Sequence, residues 1–256
     1  MNFIDTHTHL DGEEFDADRD ETIQRAKDAG VSKVFIPAID MPSVSRVLAV
    51  CDRYPGYAYP MIGLHPEEVR ADWQDVLKEM KPVLDANRDK VIAVGEVGLD
   101  YYWSREFEQE QLLAFEEQVR WSIEYRLMIH CRKGQNEMVR LLRRYEKELP
   151  GGVFHCFTGN EKEAAELLSF DRFVLGIGGV LTFKKSHLPE VLPTVPLDRI
   201  VLETDSPYMA PVPMRGKRNE SAYVAYVLKR MAECYGVSEE QVAEATNANV
   251  KRVFSV

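Results

Sequence analysis

The stretch DTHTH, Asp5 to His9, follows the apolar pair Phe3–Ile4 within ten residues of the N-terminus. The chain has only six histidines and places two of them here, one residue apart. The position bears on the fold. An open doubly wound sheet usually carries a glycine-rich turn after its first strand; here that turn is His-Thr-His. Outward from it, a short β-branched apolar run, a turn and a helical stretch recur along the chain. The predicted strands are Asn2–His7, Lys33–Ala38, Ala58–Gly63, Val91–Glu96, Leu127–Cys131, Val153–Cys156, Phe173–Ile177 and Ile200–Thr204. Helical spacing fills Glu21–Ala29, Ser43–Arg53, Trp73–Asn87, Phe107–Tyr125 and Asn136–Glu148, with a shorter piece at Ala164–Phe170. Strands alternating with helices imply a parallel sheet. Eight such units predict an α/β fold, a single (β/α)8 TIM barrel over residues 1–256, with two extra C-terminal helices at Asn219–Tyr235 and Glu239–Val253.

Composition is that of a globular chain, 45% hydrophobic and 29% charged. No apolar run approaches the roughly 18 to 20 residues that span a bilayer, and the N-terminus lacks the order of a secretory signal. We expect a cytoplasmic protein. Cys51, Cys131, Cys156 and Cys234 form no CxxC pair and read as reduced thiols. A net charge of −10 excludes a global basic field for nucleic acid, so any such contact has to come from a local patch.

A barrel of this kind keeps its chemistry at the C-terminal ends of its strands. Strand one ends at His7 and His9, strand three runs into GLHP with His65, and strand four ends in GEVGLD with Glu96 and Asp100. Strand five ends at His130, strand six at His155, and strand eight in LETDSP with Glu203 and Asp205. One histidine at a strand end is ordinarily structural; five on one rim converge. Alternation puts Asp5, His7 and His9 on one face and turns Cys131 and Cys156 away from it. Imidazole with carboxylate is the ligand set of hydrolytic metal sites, and four histidines with two carboxylates exceed the needs of one ion. Two ions sharing a carboxylate fit better.

HxH, GLHP, GEVGLD, the strand-five histidine, HCFTG and ETDSP occur in register from Phe3 to about Asn249. In this order they resemble the TatD family of metal-dependent deoxyribonucleases, which are amidohydrolase-type metal barrels. The resemblance implies that His7, His9 and Asp205 hold one metal, that His130 and His155 hold a second, and that Glu96 bridges them. It gives His65 a contact to the scissile phosphate, and Asp205 the proton of the attacking water. Arg215 and Asn219, in RGKRNES, are implied substrate contacts; Ser221 stands where the family has proline. Asp5, Asp100 and Glu203 are expected to orient ligand imidazoles, and Asp11 to serve a turn. The implied cofactors are two divalent ions (Mg, Mn or Zn). The implied partner is DNA, single-stranded or frayed at its ends, with no membrane and no obligate protein partner.

Loop residues on the same rim supply cations (Arg132, Lys133, Lys184, Lys185, Arg215, Lys217, Arg218) and rings (Tyr101, Tyr102, Trp103, Phe157, Phe183, Tyr208) on which bases can stack. The alternative is an amidohydrolase cleaving an amide, ester or lactone. Many such barrels bridge their metals with a lysine on strand four, where this chain has Glu96. A non-catalytic metal scaffold would have no need of Asp205 beside a full ligand set.

Overall fold

The computed structural model describes residues 1–256. Eight parallel strands, β1 (Phe3–Asp5), β2 (Val31–Pro37), β3 (Ala58–Ile62), β4 (Ala93–Asp100), β5 (Leu127–Arg132), β6 (Gly152–Phe154), β7 (Phe173–Ile177) and β8 (Ile200–Leu202), lie in one sheet in chain order. The helices between them are α1 (Arg19–Asp28), α2 (Met41–Arg53), α3 (Trp73–Ala86), α4 (Glu108–Trp121), α5 (Gln135–Tyr145), α6 (Glu161–Leu168) and the short α7 (Leu188–Val191). After β8 come α8 (Val224–Tyr235) and α9 (Glu239–Phe254). Several starts are written in the sequence as capping boxes: Asp40 with Ser43 on α2, Asn160 with Glu163 on α6, and Ser238 with Gln241 on α9. None of these helices is long and apolar enough to cross a membrane.

The ring meets itself where β1 and β8 run on beyond their last paired residues. The amide of Thr6 donates to Leu202 O, that of Asp205 to His7 O, and that of His9 to Ser206 O at 2.7 Å. Thr8 and Ser206 form a parallel bridge there, and their hydroxyls lie 2.6 Å apart.

Period-two alternation builds the interior in layers. Ile4, Phe35, Met61, Ala93, Met128, Val153, Val174 and Val201, one from each strand, form the lower layer, and Val250, Val253 and Phe254 of α9 plug it. Their neighbours in sequence, such as Val34, Ile36, Leu127, Ile129, Ile200 and Leu202, face the helices in the larger core. Two residues further on, within β5 and just past the ends of β6 and β8, the positions are His130, His155 and Glu203. The same alternation that fills the lower layer with hydrocarbon therefore brings polar groups into the layer above it.

Several strand ends differ from expectation. β1, β6 and β8 stop early, leaving His7, His155 and Asp205 on the segments that follow. β4 runs on to Asp100, past the expected end at Glu96. The helix expected from Asn219 starts as α8 at Val224, because Ser221–Tyr223 is a 3-10 turn.

Candidate active site

Glu96 is the hub of the upper layer. Its Oε2 lies 3.2 Å from His7 Nε2 and 3.7 Å from His9 Nε2. Its Oε1 lies 3.0 Å from His130 Nδ1, 3.5 Å from His65 Nε2 and 3.7 Å from His155 Nε2. Asp205 enters from the other side, with Oδ1 at 3.5 Å from His9, 3.7 Å from His155 and 3.8 Å from His7. It does so with a left-handed backbone at φ 58°. The rings of His7 and His155 stack with centroids 3.5 Å apart. The structure thus brings His7, His9, His65, Glu96, His130, His155 and Asp205 to one place.

A further set of carboxylates fixes these rings. Asp100 Oδ2 lies 2.8 Å from His130 Nε2, so His130 presents Nδ1 to the site. Glu203 Oε2 lies 3.0 Å from His155 Nδ1, while its Oε1 accepts the Cys156 amide at 2.6 Å. Gly176 makes room for this fully buried carboxylate: a Cβ there would lie 2.1 Å from Glu203 Oε2. His65 accepts the Glu67 amide on Nδ1 at 3.1 Å. Its neutral ring therefore carries its proton on Nε2, the atom facing Glu96.

Asp5 departs from expectation. It touches no imidazole nitrogen. Its Oδ2 takes the Thr204 hydroxyl at 2.7 Å and its Oδ1 the Thr204 and His7 amides, so it staples β1 to the segment after β8. Burial raises its pKa to about 7 against those hydrogen bonds.

The electrostatics follow from burying carboxylates among imidazoles. Burial pushes the Glu96 carboxyl up, but His7, His65 and His130 outweigh it and hold it well below the usual range. Asp205 is also held low, burial being outweighed by His9, His155 and His7. Burial pulls His130 and His155 down. Asp100 and Glu96 nevertheless lift His130 to about 9, and Glu203 chiefly lifts His155 to about 10. His7 is lowered by burial and by His155.

The cluster floors a cavity of about 920 Å³. Its walls include residues the sequence reading did not place there: Ile39 and Arg46, Gly12 to Glu14, and Glu67 and Glu68. All but Arg46, which stands on α2, come from loops and 3-10 turns, where no periodicity marks them. Asp11, expected in a turn, lines the cavity with Oδ2 3.6 Å from Arg46 Nε. Cys131 and Cys156 also line it, contrary to expectation. The strand alternation used for Cys156 ends with β6 at Phe154, and Cys156 itself has φ 49°.

Of the expected rim cations only Arg132 lines the cavity, and of the rings only Trp103 and Tyr208 do; Tyr101 and Phe157 are buried among core side chains. Arg218 is held by Asp18 and by the carbonyl of Glu14. Arg215 lies outside the cavity, over the Phe183 ring at 4.1 Å and donating to Ala210 O. Asn219 is fully buried. Its amide donates to Thr204 O at 2.9 Å and to Tyr208 O at 2.6 Å, so it holds the segment after β8 and has no donor free for a substrate. His187, the remaining histidine, stands exposed at the start of α7.

The donor set fits divalent cations. Glu96 and Asp205 have histidines as their only ion-pair partners, with no lysine or arginine within 4 Å to balance their charge. His7, Glu96 and His155 form one compact group of potential ligand atoms, His7, His9 and Asp205 another, and His65, Glu96 and His130 a third.

Residues 4–255 match the profile of the TatD related DNase family. The chain belongs to that family. An uncharacterized metal-dependent hydrolase of Bacillus subtilis, YabD, is 36% identical, the match covering 99% of each chain. A protein of Pectobacterium carotovorum named 3'-5' ssDNA/RNA exonuclease TatD is 32% identical over 98% of each. Among solved structures, the TatD homologue YjjV of Escherichia coli superposes with a TM-score of 0.91 at 30% identity, covering 99% of this chain and 98% of its own. The TatD barrel described here is a metal-dependent hydrolase.

Proposed function

We propose that this TatD barrel acts as one domain, residues 1–256, that hydrolyses phosphodiester bonds at the ends of single-stranded nucleic acid. The observation that carries the reading is the division of Glu96. One oxygen faces His7 and His9, and the other faces His130, His65 and His155. A carboxylate so placed is suited to join two divalent ions, Mg, Mn or Zn. One would be held by His7, His9 and Asp205, the other by His130 and His155. Such ions, when bound, polarise a phosphoryl oxygen and lower the pKa of water.

The chain's own groups supply the rest. Asp205, ionised and turned to the cavity floor, can engage the imidazoles through Oδ1 and take a proton from the attacking water through its other oxygen. His65, with its proton on Nε2, is a donor suited to a phosphate oxygen and less suited to ligation. DNA ends, attacked from the 3′ side, are the favoured substrate; the relatives named as ssDNA/RNA exonucleases support this. A duplex track demands many cationic contacts, whereas here Glu13, Glu14, Glu67 and Glu68 line the cavity. Four free thiols are in keeping with a reducing, cytoplasmic setting.

The test is digestion of end-labelled single-stranded DNA by EDTA-stripped protein resupplied with Mg²⁺, Mn²⁺ or Zn²⁺. Glu96→Gln and Asp205→Asn should each lower turnover at least ~10³-fold, about 4 kcal/mol, with unfolding transitions like the parent's. If none of these metals supports DNA cleavage while an amide, ester or lactone panel is turned over, the amidohydrolase reading replaces this one.

A further inference from the structure

Three side chains on one edge of the cavity form a unit that the cluster at its floor does not account for. Trp103 lines the cavity and leaves 69% of its surface in solvent, the highest exposure among the large apolar side chains. Tyr102 meets it edge to face, with centroids 4.8 Å apart. The Arg132 guanidinium lies 3.4 Å from the Tyr102 centroid and 5.3 Å from that of Trp103. Arg132 also lines the cavity, and no carboxylate comes within ion-pair distance of it, whereas the wall's other arginine, Arg46, faces Asp11. In a chain of net charge −10, a cation held by an aromatic face and left without an anionic partner is set for an anion from outside.

The unit is also fixed relative to the site. Asp100 uses Oδ2 on His130 and Oδ1 on the amide of Tyr102, at 2.8 and 2.9 Å. Its backbone is in turn clamped by the Gln111 side chain, which accepts from its amide and donates to its carbonyl. One carboxylate thus orients a ring of the metal cluster and the turn that carries the aromatics. A flat apolar face beside an unpaired guanidinium matches the two halves of a nucleotide, base and phosphate.

We infer that Trp103, Arg132 and Tyr102 form the subsite for the terminal nucleotide: its base stacks on Trp103, a phosphate flanking it pairs with Arg132, and Tyr102 holds the arginine in place. This rests on the phosphodiesterase reading. The stacking is indifferent to base identity, so the subsite selects unpaired ends and not sequences. A base in a duplex interior has both faces covered by its neighbours and cannot offer one to the indole.

Two measurements test it. The first compares kcat/KM on a 5′-labelled single-stranded oligonucleotide with that on the same strand carrying an abasic 3′-terminal nucleotide. Trp103→Ala should lose about tenfold on the normal strand and nothing on the abasic one. Arg132→Gln should lose on both and flatten the salt dependence. The second is tryptophan fluorescence of the EDTA-treated protein titrated with oligothymidylate: quenching is expected in the parent and is lost in Trp103→Phe. Equal losses on both strands in Trp103→Ala, or quenching that survives Trp103→Phe, overturn the subsite. If the parent cleaves neither strand with any metal while quenching maps to Trp103, the subsite stands as a nucleotide-binding one and the phosphodiesterase reading falls.

Discussion

Glu203→Gln makes the sharpest demand on this structure. The substitution is isosteric, and the site is fully buried, so packing is unchanged. Glu203 now faces two groups, the Cys156 amide at 2.6 Å and His155 Nδ1 at 3.0 Å. A glutamine can offer its oxygen to only one of them. If it serves the Cys156 N–H, its NH2 turns to His155 Nδ1, which must then accept. The neutral ring would then carry its proton on Nε2, the nitrogen 3.7 Å from both Glu96 and Asp205. A protonated nitrogen has no lone pair for a cation. Replacing the outer partner of a ligating imidazole typically costs about 10- to 100-fold in metal affinity, about 1.4 to 2.7 kcal/mol. The tautomer change puts this case near the upper end. Chelator competition with Mn²⁺ or Zn²⁺ reads the affinity, and a thermal melt of the stripped protein checks the fold. Gly176→Ala approaches the same contact from behind, since its Cβ would overlap Glu203 Oε2, and should weaken metal binding likewise. Metal affinity within twofold of the parent in Glu203→Gln would show that Glu203 does not set the His155 tautomer.

Two further substitutions separate scaffold from site. Asn219→Ala leaves the carbonyls of Thr204 and Tyr208 without their donor and should cost about 1 to 3 kcal/mol in urea unfolding, with KM for single-stranded DNA within about twofold of the parent. A large rise in KM with unchanged stability would restore Asn219 as a substrate contact. Asp5→Ala removes the acceptor of the Thr204 hydroxyl and of the Thr204 and His7 amides. It should cost about 2 to 3 kcal/mol and weaken divalent ion binding through the displaced His7; unchanged stability would refute its role as the staple between β1 and β8.

The barrel was legible because most strand interiors alternate and all strands but the seventh are followed by helical spacing; β4 slips register between Val94 and Val97, which is how Ala93 and Glu96 both come to face inward. The histidines and carboxylates were legible because they fall just where those strands end. What was hidden lies beyond the ends. Cys156 and Asp205 take positive φ values, and a left-handed residue breaks the alternation that sorts side chains into inward and outward. That is why Cys156 lines a cavity from which it was expected to turn away. Asp5 shares its parity with His7 and His9, but within β1 it is Ile4 that points inward, and Thr204 and the His7 amide claim the Asp5 oxygens. Asn219 and Arg218 sit in a motif that reads as cationic and substrate-facing, while their donors are spent on Thr204, Tyr208, Asp18 and Glu14. Arg46 belongs to a helix whose pattern reports its buried face and says nothing of a charge reaching over the next loop.

The closure between β1 and β8 bears on when during synthesis the protein becomes active. The Thr204 hydroxyl bonded to Asp5 is 199 residues away along the chain, and α9, which follows β8 and α8, plugs the floor beneath the site. A growing chain holds His7 and His9 from its first moments but lacks Asp205 and the plug until β8 and α9 have been made. On the proposed reading the centre therefore cannot assemble before the segment carrying Asp205 has been made.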